Sequence, residues 1–360
     1  MKKKVRIKDI AMKAGVSTGT VDRVLHNRGK VAPEVKERVL KVVEELGYER
    51  NLLASTLAYN RTTRVAVMLP NTEKDMYWRQ TQDGVERAQK AVQHYGLVVE
   101  PFFFDYFDPQ SFLQTAQTIL DQKPDGLLFP PIFFQEAQWL LAQCSANGIP
   151  KVIVNTNIAD SDALCYIGQD SYQSGVLGAR LLSFGANSGQ SVCLLNLEIG
   201  TQAAQHLLEK ERGFRDYFAH NNGNKKIDII RKDFEGFNDP IQLKAFIHQL
   251  IADDSRLCGI FVTNSRVHKI IDCLEGFHSK LKIAGFDLIP TNLEYLQANK
   301  INFLINQNPS EQGFLGVMSL FRHLILKQAV EKTQFLPLDI VVKENAEYYL
   351  KKQAAFELIG

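Results

Sequence analysis

Two hydrophobic periodicities divide the chain near residue 64. Before it, apolar positions recur at helical spacing: Ile7, Ile10, Ala11 and Ala14, a break at Gly15 and Val16, then Val21, Val24 and Leu25 after Ser17, whose hydroxyl suits a helix cap. Pro33 suits the first position of a third helix, along which Val35, Val39, Val42, Val43 and Leu46 recur until Gly47. Three short helices can share one small core, and a tight turn between the first two makes a helix-turn-helix. Asn51 then caps about two turns with an exposed Leu and Ala stripe, a length too short to fold without a partner surface.

After Arg64, strand and helix signals alternate. VAVMLP (65–70), LVVEPFFF, DGLLFPP and KVIVN (151–155) read as strands, separated by helices over roughly 75–94, from Asp108-Pro109, and up to Gly148. The pattern repeats with strands SVCLLNL, KIDIIRK, CGIFVTN and KLKIAGFD among helices near 170–186, 205–221, 240–252, 265–278 and 291–299. NFLINQN, a helix from Phe314 to Lys327 and LPLDIVV close the ordered part. Buried parallel strands joined by helices predict open α/β sheets covered on both faces. The expected organisation is a small all-α helix-turn-helix head (1–50), a hinge helix and linker (51–62), a two-lobed α/β domain (63–345) and a C-terminal tail (346–360).

Charge sharpens that division. Residues 1–64 hold 15 Lys and Arg against 7 Asp and Glu, a net +8, which leaves −6 on residues 65–360 within a chain of net +2. A basic head on an acidic remainder points to a nucleic-acid module joined to something else. Arg6, Lys8 and Asp9 interrupt any apolar leader, and no apolar run approaches membrane-spanning length, so a cytoplasmic protein with no membrane partner is expected. The five cysteines are scattered and set among apolar residues, as reduced core thiols are.

With Val21, Val24 and Leu25 turned inward, the second helix presents Thr18, Gly19, Asp22, Arg23 and His26 outward. Such a helix places its N-terminal residues at base edges in the major groove, and the Arg23 fork matches the two acceptors of guanine. In the α/β part, ligands bind beyond the carboxyl ends of strands. That rule selects Asn71, Pro130 and Pro131, Asn155, Asn264, Asp287 and Gln307. Amides that donate and accept, with one carboxylate, suit a polyol such as a sugar. Asn264, Asp287 and Gln307 could instead cap helices or tie down loops.

The run IKDIAMKAGVSTGTVDRVLHNRGKVAPEVKERVLKVVEELGYERNLLASTLA resembles the DNA-binding head of the lac-repressor (LacI/GalR) family of bacterial transcription regulators, nearly continuously over residues 5–60. Residues 62–345 look, more loosely, like that family's periplasmic-binding-protein-like effector domain. The resemblance implies that Thr18, Gly19 and Arg23 read bases, that Ser17 and Thr20 approach phosphates, and that Asn51 to Ala58 form the hinge helix. Leu57 would wedge into the minor groove at the centre of a pseudo-palindromic operator, with Ala54 packed close to it. Three positions depart from the family pattern: Gly19 supplies no side-chain readout, Asp22 replaces a serine, and Arg50 stands where proline usually precedes the hinge. Among effector positions, the resemblance adds aromatic contacts at Tyr77 and Trp78, a cleft-lining Asp170 and, three residues before Gly213-Phe214, Lys210 in place of an arginine. Asp170 also suits an N-cap. A homodimeric regulator, a repressor controlled by a sugar, is the expectation.

Enzyme signatures fail on context. Gly15-Val16-Ser17-Thr18-Gly19 spells a nucleophile elbow but follows a helix rather than a strand. No dinucleotide turn, P-loop or metal-ligand spacing occurs, so no cofactor and no metal are implied. A DNA-tethered sugar-processing enzyme, or a DNA-binding scaffold with a vestigial cleft, remain the alternatives.

Overall fold

A computed structural model describes residues 5–25, 29–46, 48, 62–197, 204–220, 226–277 and 280–350, which fall into two compact units divided between Asn60 and Arg61. The hinge helix and the residues His26, Asn51, Ala54 and Leu57 lie outside the described residues.

In the first unit, α1 (Ile7–Ala14), α2 (Thr18–Leu25) and α3 (Pro33–Glu45) enclose Ile10, Ala11, Ala14, Val21, Val24, Val39 and Val42. Asp9 accepts from the Arg6 amide at 2.8 Å, and α1 ends at Gly15, whose φ of 65° is the left-handed conformation that glycine adopts without strain. Ser17 Oγ accepts from the Thr20 amide at 3.1 Å, starting α2 one turn later.

The second unit opens with β1 (Thr63–Pro70), α4 (Met76–Val92), β2 (Leu97–Phe104), α5 (Pro109–Asp121), β3 (Gly126–Phe129), α6 (Phe134–Ala146), β4 (Lys151–Asn155) and β5 (Cys165–Gly168). It continues with α7 (Ser171–Ser183), β6 (Ser191–Leu197), α8 (Ala204–His220), β7 (Asp228–Phe234), α9 (Pro240–Asp253) and β8 (Leu257–Val262). A short α10 (His268–Ile271), β9 (Lys282–Phe286), α11 (Pro290–Gln297), β10 (Phe303–Asn306), α12 (Pro309–Phe321), β11 (Thr333–Phe335) and β12 (Asp339–Val341) complete it. One sheet has the order β11-β5-β4-β3-β1-β2 and the other β12-β10-β9-β8-β6-β7. Pairing is parallel except for β12, which runs antiparallel to β10.

The central strands, such as β1, β3, β4, β6 and β8, are buried on both faces, which is why they read as continuous apolar runs. In β1, Val65, Val67 and Leu69 join one core while Ala66 and Met68 join the other. The chain changes lobe three times: after β5, so that Ala179, Leu181 and Leu182 of α7 pack with β6 and β9; after β10, so that Val317 and Leu320 of α12 pack with β1; and between β11 and β12. All three crossovers lie at the same end of the two sheets.

Several expectations need correction. The helix expected over 265–278 is broken into short pieces, and at the first break buried Asn292 bridges the chain: its amide nitrogen lies 2.9 Å from the Ser265 carbonyl and its oxygen 3.2 Å from the His268 amide. The helix expected from Phe314 begins at Pro309, and β5 and β11 are strands the apolar pattern did not mark. Order also runs past the expected limit at 345: residues 343–350 are helical, with Ala346 buried in the core that contains Val341.

Candidate functional site

On the head, Thr18, Gly19 and Arg23 are exposed along α2, as a reading face requires. Arg23 is held over its own helix: Nε donates to the Gly19 carbonyl at 3.3 Å and Nη2 lies 3.5 Å from Thr20 Oγ1. Ser17 and Thr20 share a hydrogen bond at 3.0 Å. Beside this face lies a concavity of about 430 Å³ lined by Arg23, Gly29, Lys30 and Lys36, among others. Lys30 and Lys36 went unmarked in the sequence because they follow no periodic pattern; their charge beside Arg23 suits phosphate oxygens.

In the second unit, the strand ends converge between the lobes. Asp75 Oδ1 accepts from the Tyr77 amide at 2.9 Å and starts α4, whose first turn buries Tyr77 and Trp78. The Tyr77 hydroxyl accepts from Asn155 Nδ2 at 2.6 Å and from Gln312 Nε2 at 3.3 Å. Gln312, on the first turn of α12, also donates to the Gln307 carbonyl at 2.9 Å. Asp287, directly after β9 and fully buried, accepts from Gln307 twice, from its backbone amide at 3.2 Å and from Nε2 at 2.6 Å. Gln307 in turn accepts from Gln169 Nε2. Gln169 and Gln307 directly follow β5 and β10, so this hydrogen bond joins two of the crossover segments.

Opposite Asp287 sits Lys210, carried by α8. Its Nζ donates to the Thr263 carbonyl at 2.8 Å and stands 4.1 Å above the Phe286 ring. Burial lowers the Lys210 pKa to about 8, with Asp287 pulling the other way. Burial likewise raises the Asp287 carboxyl to about 7, opposed by the Gln307 hydrogen bonds and by Lys210. His206, one turn before Lys210, is driven down to about 3 by burial and by the lysine, so it is neutral. Among the described residues, the oxygens Gln169 Oε1 and Gln312 Oε1 have no partner, although both side chains are almost fully buried.

Tyr77, Asn155, Lys210, Asp287 and Gln307 are thus gathered into one buried network. The remaining positions bond elsewhere. Asn71 Oδ1 accepts from the Glu73 amide at 3.0 Å within its own loop. Trp78 lies edge-on to Tyr77 at 4.9 Å, inside the lobe core. Pro131 is buried beyond β3. Asp170 caps α7 through the Gln173 amide at 3.0 Å. Asn264 ties two loops, donating to the Leu197 carbonyl at 2.5 Å and accepting from the Arg266 amide at 3.1 Å. Gln169 and Gln312 were not marked from sequence: the first follows an unrecognised strand and the second sits inside a helix.

Residues 6–51 match the family described as bacterial regulatory proteins, lacI family, and residues 65–328 match the periplasmic binding protein domain. The HTH-type transcriptional regulator MalR of Streptococcus pneumoniae is 25% identical over 344 residues, covering 91% of this chain and 99% of the relative. Catabolite control protein A of Staphylococcus epidermidis is 28% identical over 206 residues, 57% of this chain and 59% of the relative. Among solved structures, a protein assigned as a LacI transcriptional regulator from Bacteroides fragilis superposes with a TM-score of 0.72 at 27% identity, over 80% of this chain and all of that one. A sugar-binding protein of a sugar ABC transporter from Bacillus halodurans shares the fold, with a TM-score of 0.68 at 21% identity over 80% of this chain and 99% of that one.

Proposed function

The chain belongs to the lacI family of bacterial regulatory proteins, with a periplasmic binding protein domain over most of its length, and from that premise we propose that it represses transcription under the control of a neutral sugar or related polyol. The regulator is a DNA-binding protein whose head supplies the helix-turn-helix. Arg23, Thr18 and Gly19 face base edges, with Ser17, Thr20, Lys30 and Lys36 toward phosphates, and His26, on the outward face by sequence, completes the DNA-binding set. Asn51, Ala54 and Leu57 belong to the hinge that engages the minor groove.

One observation carries the effector class. Among the described residues, the buried network leaves two glutamine oxygens waiting for donors, Lys210 already lies in the field of the Asp287 carboxyl, and Arg266 is paired with Asp75. Hydroxyl groups can satisfy unpaired acceptors, whereas a phosphate would bring negative charge against the Asp287 carboxyl and two more acceptors. Association through the second unit is supported by the apolar side chains that edge strand β2 leaves exposed, Val98 and Phe103, and by Ile241 on α9. A two-fold dimer reads a pseudo-palindromic operator.

The test is thermal melting of the full-length protein against matched panels of free sugars, cyclitols and sugar phosphates. At a hundredfold excess over Kd a ligand adds about 2.7 kcal/mol to the native state, a rise of several degrees. A rise with one neutral polyol, abolished by Gln312→Ala, is expected. A rise only with a phosphorylated or anionic ligand would overturn the class, and no rise at all would overturn the effector.

A further inference from the structure

The three crossovers gather at one end of the sheets, so any opening of the cleft turns about that end and is largest at the other, where β2 and β7 form the outer edges. From β5 to β2 is four strand spacings, about 19 Å, and a rotation of about 15° would part the two outer edges by about 5 Å. A contact there has the longest lever on closure.

Among the described residues, that end holds a cross-lobe cluster. Arg266, just beyond β8 in the second lobe, has its side chain 12% exposed and pairs with Asp75 of the first lobe, Nη1 to Oδ2, at 3.6 Å. Its guanidinium also lies among three rings, 5.3 Å from Tyr106 and 5.9 Å from Phe107, both beyond β2, and 5.0 Å from Phe237, beyond β7. Phe107 and Phe237 face each other across the cleft with centroids 6.3 Å apart. A guanidinium favours such a setting because it can stack on ring faces while holding a carboxylate. Asp75 spends its two oxygens differently: Oδ2 meets Arg266, while Oδ1 caps α4 at the Tyr77 amide, 2.9 Å away. One carboxylate therefore links the outer edge of the cleft to the helix that places Tyr77 in the buried network.

We propose that Arg266 is a positioning residue for effector binding, a latch that holds the lobes closed through Asp75 and the Tyr106–Phe107 rings and thereby fixes the start of α4 and Tyr77. The assignment rests on the reading of the cleft as an effector site, but its test needs neither operator nor effector, so the two can fail separately. Pulsed electron-spin distance measurements on the full chain would use nitroxides at exposed Gln114→Cys on α5 and Ala245→Cys on α9, with the half-buried Cys258→Ser to remove background labelling. Arg266→Ala should move the main distance outward by about 5 Å, the lever estimate above, and Phe107→Ala should shift it in the same direction by less. Phe107 is 57% exposed, so its loss leaves the fold intact if Arg266→Ala proves unstable. An unchanged distance in Arg266→Ala would overturn the latch. So would a shift in Arg266→Ala that Phe107→Ala does not share, because Arg266 would then be acting within its own lobe.

Discussion

Asp287 is where burial changes the chemistry of a single group most usefully. Its backbone, at a φ of 67°, turns the carboxylate straight off the end of β9 into the network, and Asn292 secures that turn with its amide nitrogen 3.1 Å from the Asp287 carbonyl. Burial raises the folded pKa to about 7, whereas an exposed aspartate titrates near 4. The folded chain therefore keeps a proton that the unfolded chain has already lost. Its contribution to stability is full below about pH 4 and is lost as the pH rises through 7, a change of roughly 2 to 4 kcal/mol. Lys210 acts in the opposite window: its pKa is lowered to about 8, so its contribution is present above about pH 10.5 and is lost as the pH falls through 8. Asp287→Asn removes the first of these. Urea melts of parent and variant between pH 4 and 8 should show the variant gaining relative stability as the pH rises. Parallel curves across that range would show that Asp287 is not held protonated.

At the scale of elements, glycines set how closely the helices of each lobe approach. A Cβ on Gly175 of α7 would lie 1.9 Å from the Lys210 carbonyl oxygen, and one on Gly213 of α8 would lie 2.0 Å from that of Tyr172. The first lobe repeats the device: a Cβ on Gly84 of α4 would lie 1.8 Å from the Ser310 carbonyl oxygen, and one on Gly313 of α12 2.1 Å from that of Thr81. Contacts with backbone cannot be relieved by a rotamer change, so alanine must push the helices apart, at a cost of about 1 to 3 kcal/mol. Gly175→Ala and Gly313→Ala should each destabilise the full chain by that amount in urea. Only Gly175→Ala should also disturb the pH profile of Asp287, because it displaces the turn that carries Lys210. Equal profiles in the two variants would separate the helix contact from the lysine's position.

The same scale shows what the sequence could carry. Strands such as β1 and β6 were legible because burial on both faces leaves a long apolar run, and Asp287 and Gln307 were legible because they end such runs. Strand β5 has only four residues, and β11 consists of Thr333, Gln334 and Phe335, a mostly polar edge that exists by pairing with β5. Missing β5 hid Gln169. Asn292 bridges the first break in the helix expected over 265–278 from a position later in the chain, which no local periodicity can register. Arg266 lay within that misread helix, and its partners Asp75 and Phe107 belong to the other lobe.

At the scale of the whole molecule, residues 1–60 and 61–360 form separate compact units, so a regulator built on them needs its two binding events to share free energy. Linkage makes that sharing reciprocal: the factor by which effector changes operator affinity equals the factor by which operator changes effector affinity, with typical couplings of about 1 to 3 kcal/mol. If the hinge carries the coupling, a flexible insertion should cut it without harming either unit. Four glycines placed between Asn60 and Arg61 lengthen the connection at the boundary and resist ordering, because glycine loses the most conformational freedom on folding. The expected outcome is that effector still raises the melting midpoint of the second unit by the parental amount, while operator affinity becomes the same with and without effector. Operator affinity in the insertion variant should also fall, since in the proposed dimer the two heads then bind at a lower effective concentration. Retention of the full effector response would require the signal to travel through contacts between the units rather than through the connecting segment, and would remove the hinge from the mechanism.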